Sequence, residues 1–217
     1  MKEILEKLLE KKLVVIARRL PQEKVVSCVK AVIKGGVEFI ESTFDQSDLN
    51  CIETNKKSIK AMIKAANGRA YIGAGTVLTV EQVHAAYEAG AKYIISPNTN
   101  EDVIRETVKL NMISIPGAMT PTEIEKAYSY GAHIVKLFPA DDVGIHYIKN
   151  ITAPLSHIPL MITGGVTPQT IREYYNAGAK AFGTGITILK PDFIANDNYE
   201  GITKLAKEHV NVIKELS

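Results

Sequence analysis

The sequence contains no tryptophan, and aromatic residues make up only 6% of it. That is thin material for a base-stacking surface. It also lacks an excess of either charge: 26 Lys and Arg stand against 24 Asp and Glu, a net +2, and no block of five like charges occurs. Nucleic acid is therefore not an expected partner. The only cysteines are Cys28 and Cys51; neither lies in a CxxC or Cys/His cluster, and Cys28 falls in an apolar-rich helical pattern that reads as core. So few thiols suggest a reducing compartment and no zinc site. The five histidines are scattered without metal-ligand spacing, so no metal is expected. Long apolar runs are missing too. Leu13–Ala17 is the longest candidate stretch, far short of a membrane span. Met1–Lys7 carries no apolar signal-peptide core. A soluble, cytoplasmic protein with no membrane partner is the expectation.

What is present is ordinary globular material, with 46% hydrophobic and 23% charged residues, 15 Gly and 9 Pro among 217. That length supports a full core without disulfides and reads as one domain over residues 1–217.

Short, nearly continuous apolar runs recur: Leu13–Ala17, Phe39–Thr43, Ala70–Gly73, Tyr93–Ser96, Ile113–Pro116, Ile134–Leu137, Leu160–Thr163 and Ala181–Gly183. Runs of that kind suit strands buried on both faces. Amphipathic stretches of helical period lie between them, including Glu23–Lys34, Asn55–Ala66, Val80–Ala89, Glu101–Lys109, Pro121–Tyr130 and Pro168–Ala177. Thr79, Asn100, Thr120-Pro121 with Glu123, and Thr167-Pro168 read as helix starts. Gly36, Gly90, Gly131 and Gly178 each open the same pattern: a helix-ending glycine, two linking residues, then a strand. Their spacings of 54, 41 and 47 residues hold about two βα units each. Eight such units predict an α/β fold, a (β/α)8 TIM barrel of parallel strands, with the Met1–Lys11 helix capping its bottom. A doubly wound open sheet is disfavoured, because no GxGxxG follows the first strand. Gly73-Ala-Gly-Thr76 lacks both the third glycine and the strand-one position.

Barrel chemistry sits where strands end. Lys136 lies inside His-Ile-Val-Lys-Leu-Phe-Pro, flanked by apolar residues. A lysine there is either paired with a carboxylate or phosphate, or loses its proton and becomes a nucleophile for Schiff-base chemistry. Glu41 ends the second run and points toward the same mouth. It is either a proton shuttle for Lys136 or a structural ion-pair partner of Lys136 or Arg18. Thr163-Gly164-Gly165 and Gly183-Thr184-Gly185 follow the seventh and eighth runs, where barrels often bind phosphate, or they are simply tight turns. Thr76 either binds a substrate carboxylate or caps the next helix.

Together these residues resemble the KDPG aldolase family (2-keto-3-deoxy-6-phosphogluconate aldolase, also 4-hydroxy-2-oxoglutarate aldolase). The resemblance runs from about Val14 to the last helix. It is carried by Gly36-Val with Ile40-Glu41, Gly73-Ala-Gly-Thr-Val77, Ile95-Ser-Pro97, Ile115-Pro-Gly117 with Thr120-Pro-Thr-Glu123, Val135-Lys-Leu-Phe-Pro139 and Thr163-Gly-Gly165. It implies a class I aldolase without cofactor or metal, usually a homotrimer, acting on a small keto-acid substrate. By similarity, Lys136 attacks the keto carbon and Glu41 is the general acid and base. Arg18 and Thr76 hold the substrate carboxylate. Pro97, Phe138 and Thr163 line the pocket, and Gly164, Gly165, Gly185 and the Ile186 amide bind phosphate.

Two positions depart from the family pattern. Asp45 stands where many members carry an arginine that clamps the carboxylate, which leaves that role to Arg18. Ile186 stands where many carry a serine near the phosphate. By resemblance, Thr163 before the double glycine marks the gluconate-type enzymes, while galactonate-type relatives tend to carry an apolar residue. The competing readings are a phosphosugar epimerase or isomerase on the same barrel, and a non-catalytic phosphometabolite-binding barrel.

Overall fold

The computed structural model describes residues 1–216; Ser217, the last residue of the expected 1–217 domain, lies outside the described residues. The elements run α1 (Lys2–Lys11), β1 (Leu13–Ala17), α2 (Val25–Lys34), β2 (Phe39–Thr43), α3 (Cys51–Ala66), β3 (Tyr71–Gly75), α4 (Val80–Ala89), β4 (Tyr93–Ile95) and α5 (Glu101–Lys109). They continue with β5 (Ile113–Ile115), β6 (Gly117–Ala118), α6 (Pro121–Ser129), β7 (Val135–Leu137), α7 (Gly144–Thr152), β8 (Leu160–Thr163), α8 (Ile171–Asn176), β9 (Ala181–Thr184), α9 (Pro191–Ala195) and α10 (Tyr199–Lys214).

All strand pairs are parallel, in the order β5-β4-β3-β2-β1-β9-β8-β7-β6. The strand count exceeds eight because the fifth run is split at Pro116. Proline has no N–H for the ladder and breaks the strand there. β5 pairs with β4 and β6 with β7. Pro116 still accepts a hydrogen bond from Lys136 N at 2.8 Å. One covalent segment thus joins the two ends of the sheet, and the (β/α)8 barrel closes.

Both faces of the strands are buried, for different reasons. Val15, Ile40, Ile72, Ile94 and Ile162 point outward into the layer beneath the helices. Val14, Phe39, Tyr93, Ile113, Ile134 and Met161 point inward and fill the barrel together with Leu8 of α1. Leu8 is fully buried, so α1 plugs the N-terminal end. Each such side chain contributes about 1.5–3 kcal/mol by leaving water.

Helix starts follow the local chemistry. Thr79 accepts from Gln82 N, Asn100 from Asp102 and Val103 N, and Thr120 with Glu123 forms a reciprocal capping box. The expected start at Thr167-Pro168 is displaced. Thr167 and Thr170 accept from each other's backbone N–H in a closed turn, and α8 begins at Ile171. Gly36, Gly90, Gly131 and Gly178 all adopt φ between 95° and 110°, the left-handed region that a side chain disfavours. Cys28 is fully buried, and burial raises its thiol pKa to about 11. β3 extends two residues past the expected Gly73, because Ala74 and Gly75 keep pairing with Ser42 and Thr43. No helix of the described residues is long and apolar enough to cross a membrane.

Candidate active site

Inside the barrel, strand alternation sets which side chains share the interior. Glu41 has the same parity as Phe39, Lys136 the same as Ile134, and Thr163 the same as Met161. All three polar residues therefore point inward near the C-terminal ends of β2, β7 and β8. Glu41 is 2% exposed, Lys136 5% and Thr163 6%.

Burial governs the charges of this pair. Removal from water pushes the Glu41 carboxyl up from 4.5 to about 7, against the opposing pull of Lys136 and Arg18. The same desolvation lowers the Lys136 ammonium pKa, against Glu41, while Arg18 lowers it further. Both shifts favour the neutral forms. A neutral amine is the nucleophilic form of lysine, and a carboxyl poised near neutrality both gives and takes protons. Lys136 Nζ also lies 4.6 Å from the centroid of the Phe138 ring, so one face of the amine is walled by an aromatic side chain. Glu41 Oε2 and Thr163 Oγ1 have no hydrogen-bond partner among the described residues.

Glycines make this arrangement sterically possible. A Cβ on Gly75 would lie 2.5 Å from the Glu41 carboxyl carbon. One on Gly183 would lie 2.6 Å from Thr163 Oγ1.

Three clefts open around the mouth. The first, about 430 Å³, is lined by Arg18, Phe138, Asp141, Thr163, Gly164, Gly165, Gly185 and Ile186 among others. The second, about 420 Å³, holds Arg18, Arg19, Asp45 and Thr76. The third, about 440 Å³, holds Pro97 and Phe138. Arg18 is shared by the first two clefts and Phe138 by the first and third. The residues expected to bind phosphate do come together. Thr76 and Pro97 flank that group from neighbouring clefts.

Thr76 is not the helix cap, since Thr79 takes that role. Thr76 adopts φ 57°, and its carbonyl accepts from Gln46 Nε2 at 2.8 Å. Asp45 pairs with Arg19, and Arg18 makes no ion pair among the described residues. Gly164 and Gly165 both have positive φ, 106° and 65°. The Asp141 side chain packs against both, which brings a carboxyl group to the edge of the glycine cleft. Sequence reasoning passed over Asp141, three residues beyond Phe138, and Tyr93, which reads as one more apolar strand residue.

Comparison with known proteins gives the family. A family model described as KDPG and KHG aldolase matches residues 4–205. The 2-dehydro-3-deoxy-6-phosphogalactonate aldolase of Escherichia coli (strain K12) is 33% identical over 94% of this chain and 95% of its own length. The KHG/KDPG aldolase of the same organism is 31% identical over 93% of this chain and 91% of its own. The crystal structure of KDPG aldolase from Legionella pneumophila, with pyruvate captured as a covalent carbinolamine intermediate, superposes with a TM-score of 0.81. It is 25% identical and covers 92% of this chain, which covers 94% of it. The chain belongs to the KDPG and KHG aldolase family, and as an aldolase it is a lyase.

Proposed function

We propose that this chain is a class I aldolase that cleaves 4-hydroxy-2-keto acids through a Schiff base on Lys136. The substrates are 2-keto-3-deoxy-6-phosphogluconate, giving pyruvate and glyceraldehyde 3-phosphate, and 4-hydroxy-2-oxoglutarate, giving pyruvate and glyoxylate. The observation that carries the proposal is the Lys136 amine buried inside the barrel against the Phe138 ring and within electrostatic reach of the buried Glu41 carboxyl, where desolvation lowers its pKa.

Lys136 Nζ adds to the C2 carbonyl, and loss of water leaves a protonated imine. Glu41, ionised, removes the proton from the C4 hydroxyl. The C3–C4 electron pair moves into the imine, giving an enamine and releasing the aldehyde. Glu41 returns its proton to C3, and water frees pyruvate from the lysine. One carboxyl serves both directions because its pKa lies near 7. Arg18 holds the substrate carboxylate with Thr76. Pro97, Phe138 and Thr163 shape the pocket, and Gly164, Gly165, Gly185 and the Ile186 amide receive the phosphate. Kinship with aldolases carries a cytoplasmic homotrimer into the same proposal, and light scattering reads the subunit number.

The test is borohydride reduction with pyruvate, followed by peptide mapping. The expected result is one adduct, on Lys136, absent from Lys136→Met. An adduct on another lysine overturns the residue assignment. Cleavage without any adduct overturns the imine mechanism. Interconversion of phosphosugars without pyruvate release points to an epimerase, and binding without turnover to a phosphometabolite-binding barrel.

A further inference from the structure

Glu41 Oε2 and Tyr93 Oη, both deep in the barrel, have no hydrogen-bond partner among the described residues, and the Glu41 charge acts on the Tyr93 hydroxyl. The sheet register explains how the two side chains come to share one part of the interior. Glu41 on β2 is in register with Gly73 on β3. Gly73 stands opposite Tyr93 on β4, one residue before the Ala74–Ile94 pair. Gly73 has no side chain to fill the interior between them. A Cβ there would collide with Cδ2, Cε2 and Cζ of Tyr93. The phenol ring therefore lies across Gly73, and its hydroxyl end reaches from β4 toward β2. Phe39, one layer below Glu41, supports the ring at a centroid distance of 6.0 Å. Burial raises the Tyr93 pKa well above its ordinary value, and the Glu41 charge raises it further, so the hydroxyl keeps its proton and remains a donor.

A buried hydroxyl without a partner costs stability, and phenylalanine would fill the same space without that cost. We propose that Tyr93 is the positioning residue of Glu41: its hydroxyl donates to Oε2 of the ionised carboxylate, directly or through one bridging water, and holds it for proton transfer. Tyr93 touches no substrate atom and acts only through Glu41. The inference rests on the reading of Glu41 as the proton-transfer group.

The charged and titratable groups that reach Glu41 are Lys136 from β7, Arg18 beyond β1 and Tyr93 from β4. Level with Glu41, β3 presents Gly73 and Gly75 to this space, and its Tyr71 lies one layer below, stacked on Phe39. Of these groups, only Tyr93 changes in the Tyr93→Phe variant. A hydrogen bond to the charged form of an acid lowers its pKa, so deleting the donor raises it.

The experiment compares wild type, Tyr93→Phe, Glu41→Gln and the double variant. It measures kcat/KM against pH for 4-hydroxy-2-oxoglutarate cleavage, and exchange of pyruvate methyl protons with deuterated water. In Tyr93→Phe, the Glu41 limb should move up by about one pH unit and exchange should slow about tenfold, as for one hydrogen bond to a charged group. Borohydride trapping at saturating pyruvate should persist. Tm measured below about pH 6 should not fall, because Glu41 there keeps its proton and has no charge for the hydroxyl to stabilise. The limb position does not depend on how much of the enzyme is folded. In the Glu41→Gln background, Tyr93→Phe should change nothing further. A Tyr93→Phe profile that superposes on wild type overturns this inference alone. So does an equal loss in the Glu41→Gln background. Wild-type exchange in Glu41→Gln overturns the reading of Glu41 and this inference with it.

Discussion

Arg19 grips Asp45 with two contacts, Nε to Oδ2 at 3.0 Å and Nη2 to Oδ1 at 3.1 Å. Arg19 adopts φ 50°, so the chain turns sharply between the two consecutive arginines. The pair occupies Arg19 and leaves the Arg18 guanidinium free to face the mouth, within electrostatic reach of Glu41 and Lys136. The acidic residue at position 45 thus divides the labour between two adjacent cations.

Arg18→Ala should therefore weaken pyruvate binding by about 10- to 100-fold, the loss expected for a hydrogen-bonded charged group. Arg19→Ala and Asp45→Ala should change it far less, because their exposed pair contributes little. Calorimetric titration with pyruvate, in Lys136→Met to exclude imine formation, reads this directly. Unchanged affinity in Arg18→Ala would assign the carboxylate to another group.

Glu41→Gln should lower kcat by about 10²–10⁴ and leave KM nearly unchanged. A rise in KM alone would make Glu41 a binding residue.

The same substitution should alter the pH dependence of stability. Between 4.5 and about 7 the folded chain keeps a proton on Glu41 that the unfolded chain has lost. Stability thus falls as pH rises through that window, and the full cost, at most about 3 kcal/mol, is felt above it. Glu41→Gln removes this cost. Its Tm advantage over wild type should grow between about pH 4.5 and about pH 7 and level off above, as proton linkage requires. An offset that does not vary with pH would contradict the burial argument.

Gly75→Ala places a methyl group 2.5 Å from the Glu41 carboxyl carbon. Glu41 must move, so kcat should fall while pyruvate trapping on Lys136 survives. Overpacking should also cost about 1–3 kcal/mol in denaturant unfolding. Wild-type turnover in this variant would mean that the exact place of the carboxylate is unimportant.

Thr163 Oγ1 is buried without a partner among the described residues and lines the cleft with Gly164 and Gly165. In the proposed function it would meet a substrate hydroxyl. Such a bond is worth about 0.5–1.5 kcal/mol, enough to bias the choice of epimer by about tenfold. Wild type should prefer the phosphogluconate epimer to the phosphogalactonate one, and Thr163→Val should erase the preference. Comparison of kcat/KM for the two epimers tests this, and an unchanged ratio removes Thr163 from the selectivity.

The barrel was legible in the sequence because its signals are local. Apolar runs too short for helices, capping threonines and left-handed glycines each act within a few residues, and their alternation admits few topologies. Lys136 and Glu41 stood out because a charged side chain inside an apolar strand conflicts with its surroundings and calls for a partner. The family resemblance pointed to Arg18, but the residues themselves did not separate it from Arg19; what occupies Arg19 is an ion pair with Asp45, far away in the chain but adjacent at the mouth. Nor did the sequence reveal Tyr93. In one dimension Tyr93 is an apolar strand residue. Strand register places it against Gly73 and, across that gap, beside Glu41. Local propensity determined the elements. Register and closure of the sheet decided which side chains share the barrel interior, because those depend on pairings between strands that no single segment encodes.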